Sequence, residues 1–210
     1  MANHVNSYIE FIEINDAAKA KLKELVGRIR KDEGHEWFSD LFVEGDVTYE
    51  ETNQYAWTTA NIGPKWCYIE DMDVDCEMPF FSTVSAWSTP YEGVQKLLVI
   101  LSELDPNMIT TMTYEDEFPN FIGWNVFVGE ECEDGCEYDD DEIREGIFDE
   151  NPHLRDHWDY DEECFTEDED GESADDEYRN IQWDWTSDTQ HKDIQACLQS
   201  IDTDGNTDGD

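Results

Sequence analysis

The chain has 210 residues, with 12 Lys and Arg against 55 Asp and Glu, for a formal net charge of -43. That balance excludes a nucleic-acid binder that works by neutralising phosphates and disfavours anionic membrane surfaces, leaving basic proteins, cations or another protein's DNA-binding surface as attractive partners. Hydrophobic residues are only 38% of the chain but aromatics reach 13%, so one part buries a core and another part dilutes the average.

The opening Met1-Ala2-Asn3-His4-Val5 has no basic stretch followed by an apolar run, so no export signal is expected. No apolar run approaches the roughly 18 residues of a membrane span. Cys67, Cys76, Cys132, Cys136, Cys164 and Cys197 are therefore expected as reduced thiols in an intracellular protein.

Residues 4–14 read as an interior strand, with Val5, Ile9 and Phe11 on one face and Tyr8, Ile12 and Ile14 on the other. Residues 16–31 read as a helix: Ala18, Leu22, Leu25, Val26 and Ile29 recur at helical spacing, and Asn15 or Asp16 can cap it. It carries Lys19, Lys21, Lys23, Arg28, Arg30 and Lys31, half of all the cations. They fit a solvated face that relieves acidic repulsion, or a dock for the acidic tail. Residues 55–60 and 65–71 are strand candidates around the turn Asn61-Ile62-Gly63-Pro64, and Phe80 to Trp87 is another. Thr89, Pro90 and Glu92 then predict a capping box that opens a helix with Val94, Leu97, Leu98, Leu101 and Leu104 on its apolar face. Met108 to Tyr114 and Ile122 to Val128 alternate as strands.

The predicted order is β-α-β-β-α-β with one extra strand. The expected fold class is α+β: a ferredoxin-like antiparallel sheet over residues 1–128, with two helices on one face. Residues 129–210 are expected as an acidic, mostly helical or irregular extension. The charge divides accordingly: 23 acidic and 8 basic residues up to position 128, then 32 acidic and 4 basic. A short helix is expected at 139–149 with Ile143, Ile147 and Phe148 inward, another turn or two at 152–158, and a helix from 187 to 201 presenting Ile194, Leu198 and Ile201. Between them, residues 159–178 are nearly continuous acid and are expected to be mobile. The tail 202–210 is expected to be solvated.

The segments Asn61-Ile62-Gly63-Pro64-Lys65-Trp66, Ser85-Ala86-Trp87-Ser88-Thr89-Pro90, Tyr114-Glu115 and Asn120-Phe121-Ile122-Gly123-Trp124 together resemble the phage and plasmid proteins that carry a YubB ferredoxin-like domain. The opening Met1-Ala2-Asn3-His4-Val5-Asn6 is similar to theirs, and the overall character resembles acidic proteins of cyanobacterial tailed phages. The likeness covers residues 1–128. Ile62 stands where the family has Trp, and Ala2 where it has Pro. The resemblance implies a ferredoxin-like fold without an iron–sulfur cluster, a phage origin and therefore a host cytoplasm. It implies no activity.

No phosphate-binding loop, nucleophile elbow or zinc-protease motif is present, and carboxylate pairs are too numerous to point to one site. An enzyme is not expected, and neither is a cofactor. Glu115-Asp116-Glu117 near Trp66 are compatible with a cleft, though a strand-end turn explains them as well. Cys67 reads as a core thiol. Cys132, Cys136, His153 and His157 have ligand-like spacing, but Cys-Glu-Asp-Gly-Cys is no zinc knuckle. The segment Asp202 to Asp210 resembles a calcium loop that lacks its glycine and its final glutamate.

The function expected is that of an acidic interaction protein which binds a basic host protein as a nucleic-acid mimic. The net charge of -28 after position 128 equals that of roughly 48 Å of duplex. The binding residues expected are Asp139, Asp140, Asp141, Glu142, Glu162, Glu163, Glu167, Asp168, Glu169 and Asp170, with Phe148, Trp158, Tyr160, Phe165, Trp183 and Trp185 as anchors. The alternative is a structural or assembly component of the virion that uses the sheet edge for contacts.

Overall fold

The computed structural model describes residues 3–29, 31–32, 35–42, 54–166 and 169–204. Met1, Ala2, Arg30, Glu167, Asp168 and the tail from 205 onward lie outside them. Strand β1, His4–Glu13, buries Val5, Ser7, Ile9 and Phe11 on one face. Helix α1, Asp16–Val26, starts where the Asn15 side chain accepts hydrogen bonds from the backbone N–H groups of Ala17 and Ala18. Two of the donors left over at a helix start are thereby satisfied. The helix stops at Val26, short of the expected end at 31, with Gly27 as its cap.

Two short strands follow, β2 (Lys31–Asp32) and β3 (His35–Trp37), then a 3-10 helix, Phe38–Phe42, that buries Phe38 and Leu41. The expected strand at 55–60 is instead helix α2, Gln54–Asn61. Thr58 and Ile62, four residues apart, are the buried positions, and the Ile62 N–H bonds the Thr58 carbonyl at 2.7 Å. That is helical spacing; Tyr, Trp and Thr favour strands intrinsically, but here the spacing of the buried positions outweighs that preference.

Strands β4 (Cys67–Asp73) and β5 (Phe80–Ala86) lead to helix α3, Tyr91–Ser102, which buries Gly93, Val94, Leu97, Leu98 and Leu101. The expected capping box is not formed. Pro90 is the N-cap and provides no side-chain bond. The Gly93 N–H goes to the Ile62 carbonyl at 3.3 Å, and the Glu92 carboxylate lies over Gly63, whose φ of 107° leaves no room for a side chain. Leu104 falls beyond the helix and is exposed.

Strands β6 (Ile109–Asp116), β7 (Phe121–Val128) and β8 (Glu131–Asp139) complete an antiparallel sheet ordered β2-β3-β4-β5-β1-β6-β7-β8. Within it, β4-β5-β1-β6 are adjacent and are linked through α1 and α3 in β-α-β-β-α-β order. Val5, Ser7, Ile9 and Phe11 align with Ser85, Thr83 and Phe81 on one side and with Asp116, Tyr114, Met112 and Thr110 on the other, all buried. The ring contacts Phe11–Phe81 and Phe38–Phe81, and Phe38 against Gly93, place the 3-10 helix and α3 on this face, and α1 packs on both. Gly129, with φ 59°, turns β7 into β8, so the sheet runs past position 128.

The chain divides into two compact units, Met1–Phe118 with Gly123–Cys136, and Pro119–Ile122 with Glu137–Asp210. The second is built from α4 (Asp140–Glu150), α5 (Pro152–Arg155), the strand pair β9 (Trp158–Asp159) and β10 (Cys164–Phe165), and α6, Glu169–Asp204. It has its own core: Ile122, Ile143, Ile147, Phe148, Leu154, Phe165, Ala174 and Tyr178, with Tyr138, Trp158, Ile181 and Trp185 packed against it. The mobile acidic stretch expected at 159–178 is thus corrected. Phe165, Ala174 and Tyr178 hold it to the core, and α6 runs unbroken through the segment expected to begin only at 187.

Candidate functional site

The sheet face opposite α1 and α3 carries a continuous run of rings. Trp37 and Tyr68 face each other across the β3–β4 pair with centroids 4.5 Å apart, Tyr68 stacks on Trp66 at 5.1 Å, and Trp66 meets His4 edge-on at 5.4 Å. The last contact spans a whole strand. Ala86 of β5 lies between His4 and Trp66, paired with one and donating its N–H to the carbonyl of the other, and its small side chain lets the rings meet. Tyr8 stacks on Phe80 further along the same face at 5.3 Å.

Carboxylates converge on this end. His4 Nδ1 lies 3.5 Å from Glu117 Oε2, and the Glu117 N–H bonds the His4 carbonyl. Glu115 is opposite Asn6; burial first, and then the neighbouring Asp116, raise its carboxyl above the ordinary range. Asp116 is buried on the other face and accepts from the Asn3 side chain at 2.6 Å. Trp66 and the 115–117 run are thus brought to one end of the sheet, with His4 touching both. His4, Trp37 and Trp87 had no signal in the sequence, because only the strand order brings them there. Cys67 is fully buried, and desolvation pushes its thiol up, as suits a core residue.

The acidic residues expected to bind a partner have local duties. Asp139 caps α4, accepting from the Glu142 N–H at 2.9 Å while Glu142 accepts from the Asp139 N–H at 3.1 Å. Asp140 and Asp141 pair with Arg144, whose guanidinium lies 4.8 Å over the Trp158 ring. Burial works against that charge, but Asp141, Asp140 and Glu145 together hold it well above the ordinary range. Glu162 and Glu163 are exposed in the turn between β9 and β10, and Glu169 and Asp170 fall in the first turn of α6. Glu167 and Asp168 lie outside the described residues. Four of the six expected anchors belong to the core or its lining: Phe148, Phe165, Trp158 and Trp185. Tyr160 and Trp183 remain exposed, at 55% and 44%.

The lysines of α1 find partners within the first unit: Lys23 pairs with Asp75 at 2.6 Å, and Lys19 donates to the Cys76 carbonyl. Cys132 and Cys136 lie four residues apart on β8, about 13 Å along an extended strand, whereas thiolates bound at 2.3 Å to one zinc ion need to be about 4 Å apart. α5 is too short to align His153 with His157, and His153 Nε2 sits 3.1 Å from Glu177. Among the described residues, no group of His, Cys, Asp and Glu is arranged to hold a metal ion, and no helix is long and apolar enough to cross a membrane. No protein-family model, curated protein or solved structure matches the chain.

Proposed function

We propose that this is an acidic interaction protein that binds a basic protein of a host and competes there with nucleic acid. The observation that carries this reading is the state of the cations after position 128. Arg144, Arg155 and Arg179, three of the four, are already paired with Asp140, Asp141, Glu145, Asp149 and Asp175 of the same unit. The remaining carboxylates are displayed on a folded scaffold, of which α6 alone has 36 residues, or about 54 Å of helix. Charge fixed on such a rod resembles a duplex backbone better than a tail does, because its spacing does not relax on binding. The β4-β5-β1-β6 order and the β-α-β-β-α-β connection support a ferredoxin-like first unit. A phage origin rests on the resemblance of residues 1–128.

The test is capture from host lysate on the immobilised full chain, washed with rising salt or with duplex DNA. A basic, DNA-binding protein released by both is the expected result. A partner that survives 0.5 M salt and ignores excess duplex would overturn the proposal, since attraction between exposed charges is largely screened beyond about 8 Å already at physiological ionic strength.

A further inference from the structure

We infer that the ring-bearing face of the first unit's sheet, at its His4 end, is a docking surface for an extended, arginine-bearing segment of a basic partner. The inference rests on the basic-partner reading above but places the contact on different residues.

The first observation is apolar exposure with no packing return. The rim beside the rings carries Trp87, 61% exposed, and Phe118, 67% exposed, while Tyr8 on the face itself is 39% exposed. The Trp87 N–H bonds the Asn3 carbonyl, and Phe118 follows Glu117, whose N–H bonds His4, so both residues adjoin the His4 end. Large apolar side chains grouped on a water-facing surface mark interaction sites more often than chance exposure.

The second observation is backbone strain. Trp87 has φ 69°, in the left-handed region where a bulky residue is an outlier. Glycine would fit there without strain, so the indole is held at a cost that its own packing does not repay. Strain of this kind collects at ligand contacts.

The third observation is charge, which selects the occupant. Glu10 and Glu115 hold register positions on the face, Asp71 is opposite Ser82, and Glu117 flanks His4. Among the described residues, no lysine or arginine holds a register position on that face. Aromatic rings interleaved with carboxylates suit a guanidinium, which is planar and weakly hydrated, and which stacks on a ring while its edge bonds a carboxylate. Nucleobases stack on such rings too, but their phosphates would meet these carboxylates.

The experiment is fluorescence anisotropy on the full chain at 0.15 M salt, with a labelled peptide of alternating arginine and glycine, its lysine counterpart, and an oligothymidine. Trp87→Gly and Tyr8→Lys should each weaken the arginine peptide about fivefold or more. Trp87→Gly should leave the melting temperature equal or higher, since glycine relieves the strain. The lysine peptide should bind more weakly, and Trp183→Ala in the second unit should change nothing. If both face variants bind as the parent does while salt still releases the peptide, the contact lies on the second unit's carboxylates; this inference then falls and the broader reading stands. If the arginine peptide does not bind at all, both fall. Tighter binding of oligothymidine than of the peptide overturns the inference in favour of a nucleic-acid platform.

Discussion

Gly146 sits in the middle of α4, where glycine costs about 1 kcal/mol relative to alanine by helix propensity alone. Packing reverses that sign. A Cβ at Gly146 would collide with the six-membered ring of Trp185, which lines the second core. The glycine lets α4 and α6 approach closely enough for that indole to lie flat against the helix. Gly146→Ala is therefore expected to destabilise the second unit by about 1–3 kcal/mol, the usual cost of overpacking. Urea unfolding followed by tryptophan fluorescence reads this directly, and a stabilised variant would show that Trp185 moves aside freely. Arg144 is the complementary case at this scale. It places a cation between two carboxylates and an indole, so part of the acidity in the first turn of α4 is spent on holding the unit's own arginine.

At the scale of elements, what could be read from the sequence tracks how one-sided each element's burial is. β1, β5, α1 and α3 each bury one clear face, and their residues alternate or recur accordingly. β8 could not be read, because its residues from Glu131 to Gly135 are all exposed and nearly all charged or polar. Charge there protects a sheet edge, as edge strands often do, and leaves no apolar pattern behind. The first half of α6 was obscured in the same way: Ala174 and Tyr178 are buried four residues apart, but acids fill the other faces. The ring-bearing site needed the sheet order as well. His4, Trp66 and Glu117 are far apart in sequence and meet only because β1 lies between β5 and β6. The start of α4 was legible within a residue, because capping chemistry is local. Asp139→Ala removes one half of a reciprocal box and should cost about 1 kcal/mol, within the range of such truncations. Asp139→Asn should retain most of it, and equal losses for the two in a urea titration would assign the effect to charge instead of the cap.

For the whole molecule, the dominant fact is 55 carboxylates against 12 cations. Net charge of this size favours solubility but opposes compaction through self-repulsion. Two responses to salt compete. Screening weakens the ion pairs, such as Lys23–Asp75 and Arg28–Glu24, but exposed pairs contribute only about 0–1 kcal/mol each. Screening also relieves the long-range repulsion among every unpaired carboxylate, a sum over many more terms. Raising monovalent salt from 0.01 to 0.15 M shortens the Debye length from about 30 to 8 Å, which removes distant repulsion and leaves contacts within 4 Å least affected. The melting temperature should therefore rise with salt, by about 2–4 °C for each kcal/mol of repulsion relieved in a chain of this length. Sodium and tetramethylammonium chlorides should act alike, since screening depends on ionic strength and not on the cation. A flat or falling melting temperature by circular dichroism would mean that the ion pairs outweigh the repulsion. A rise with sodium alone would point to bound cations in place of screening.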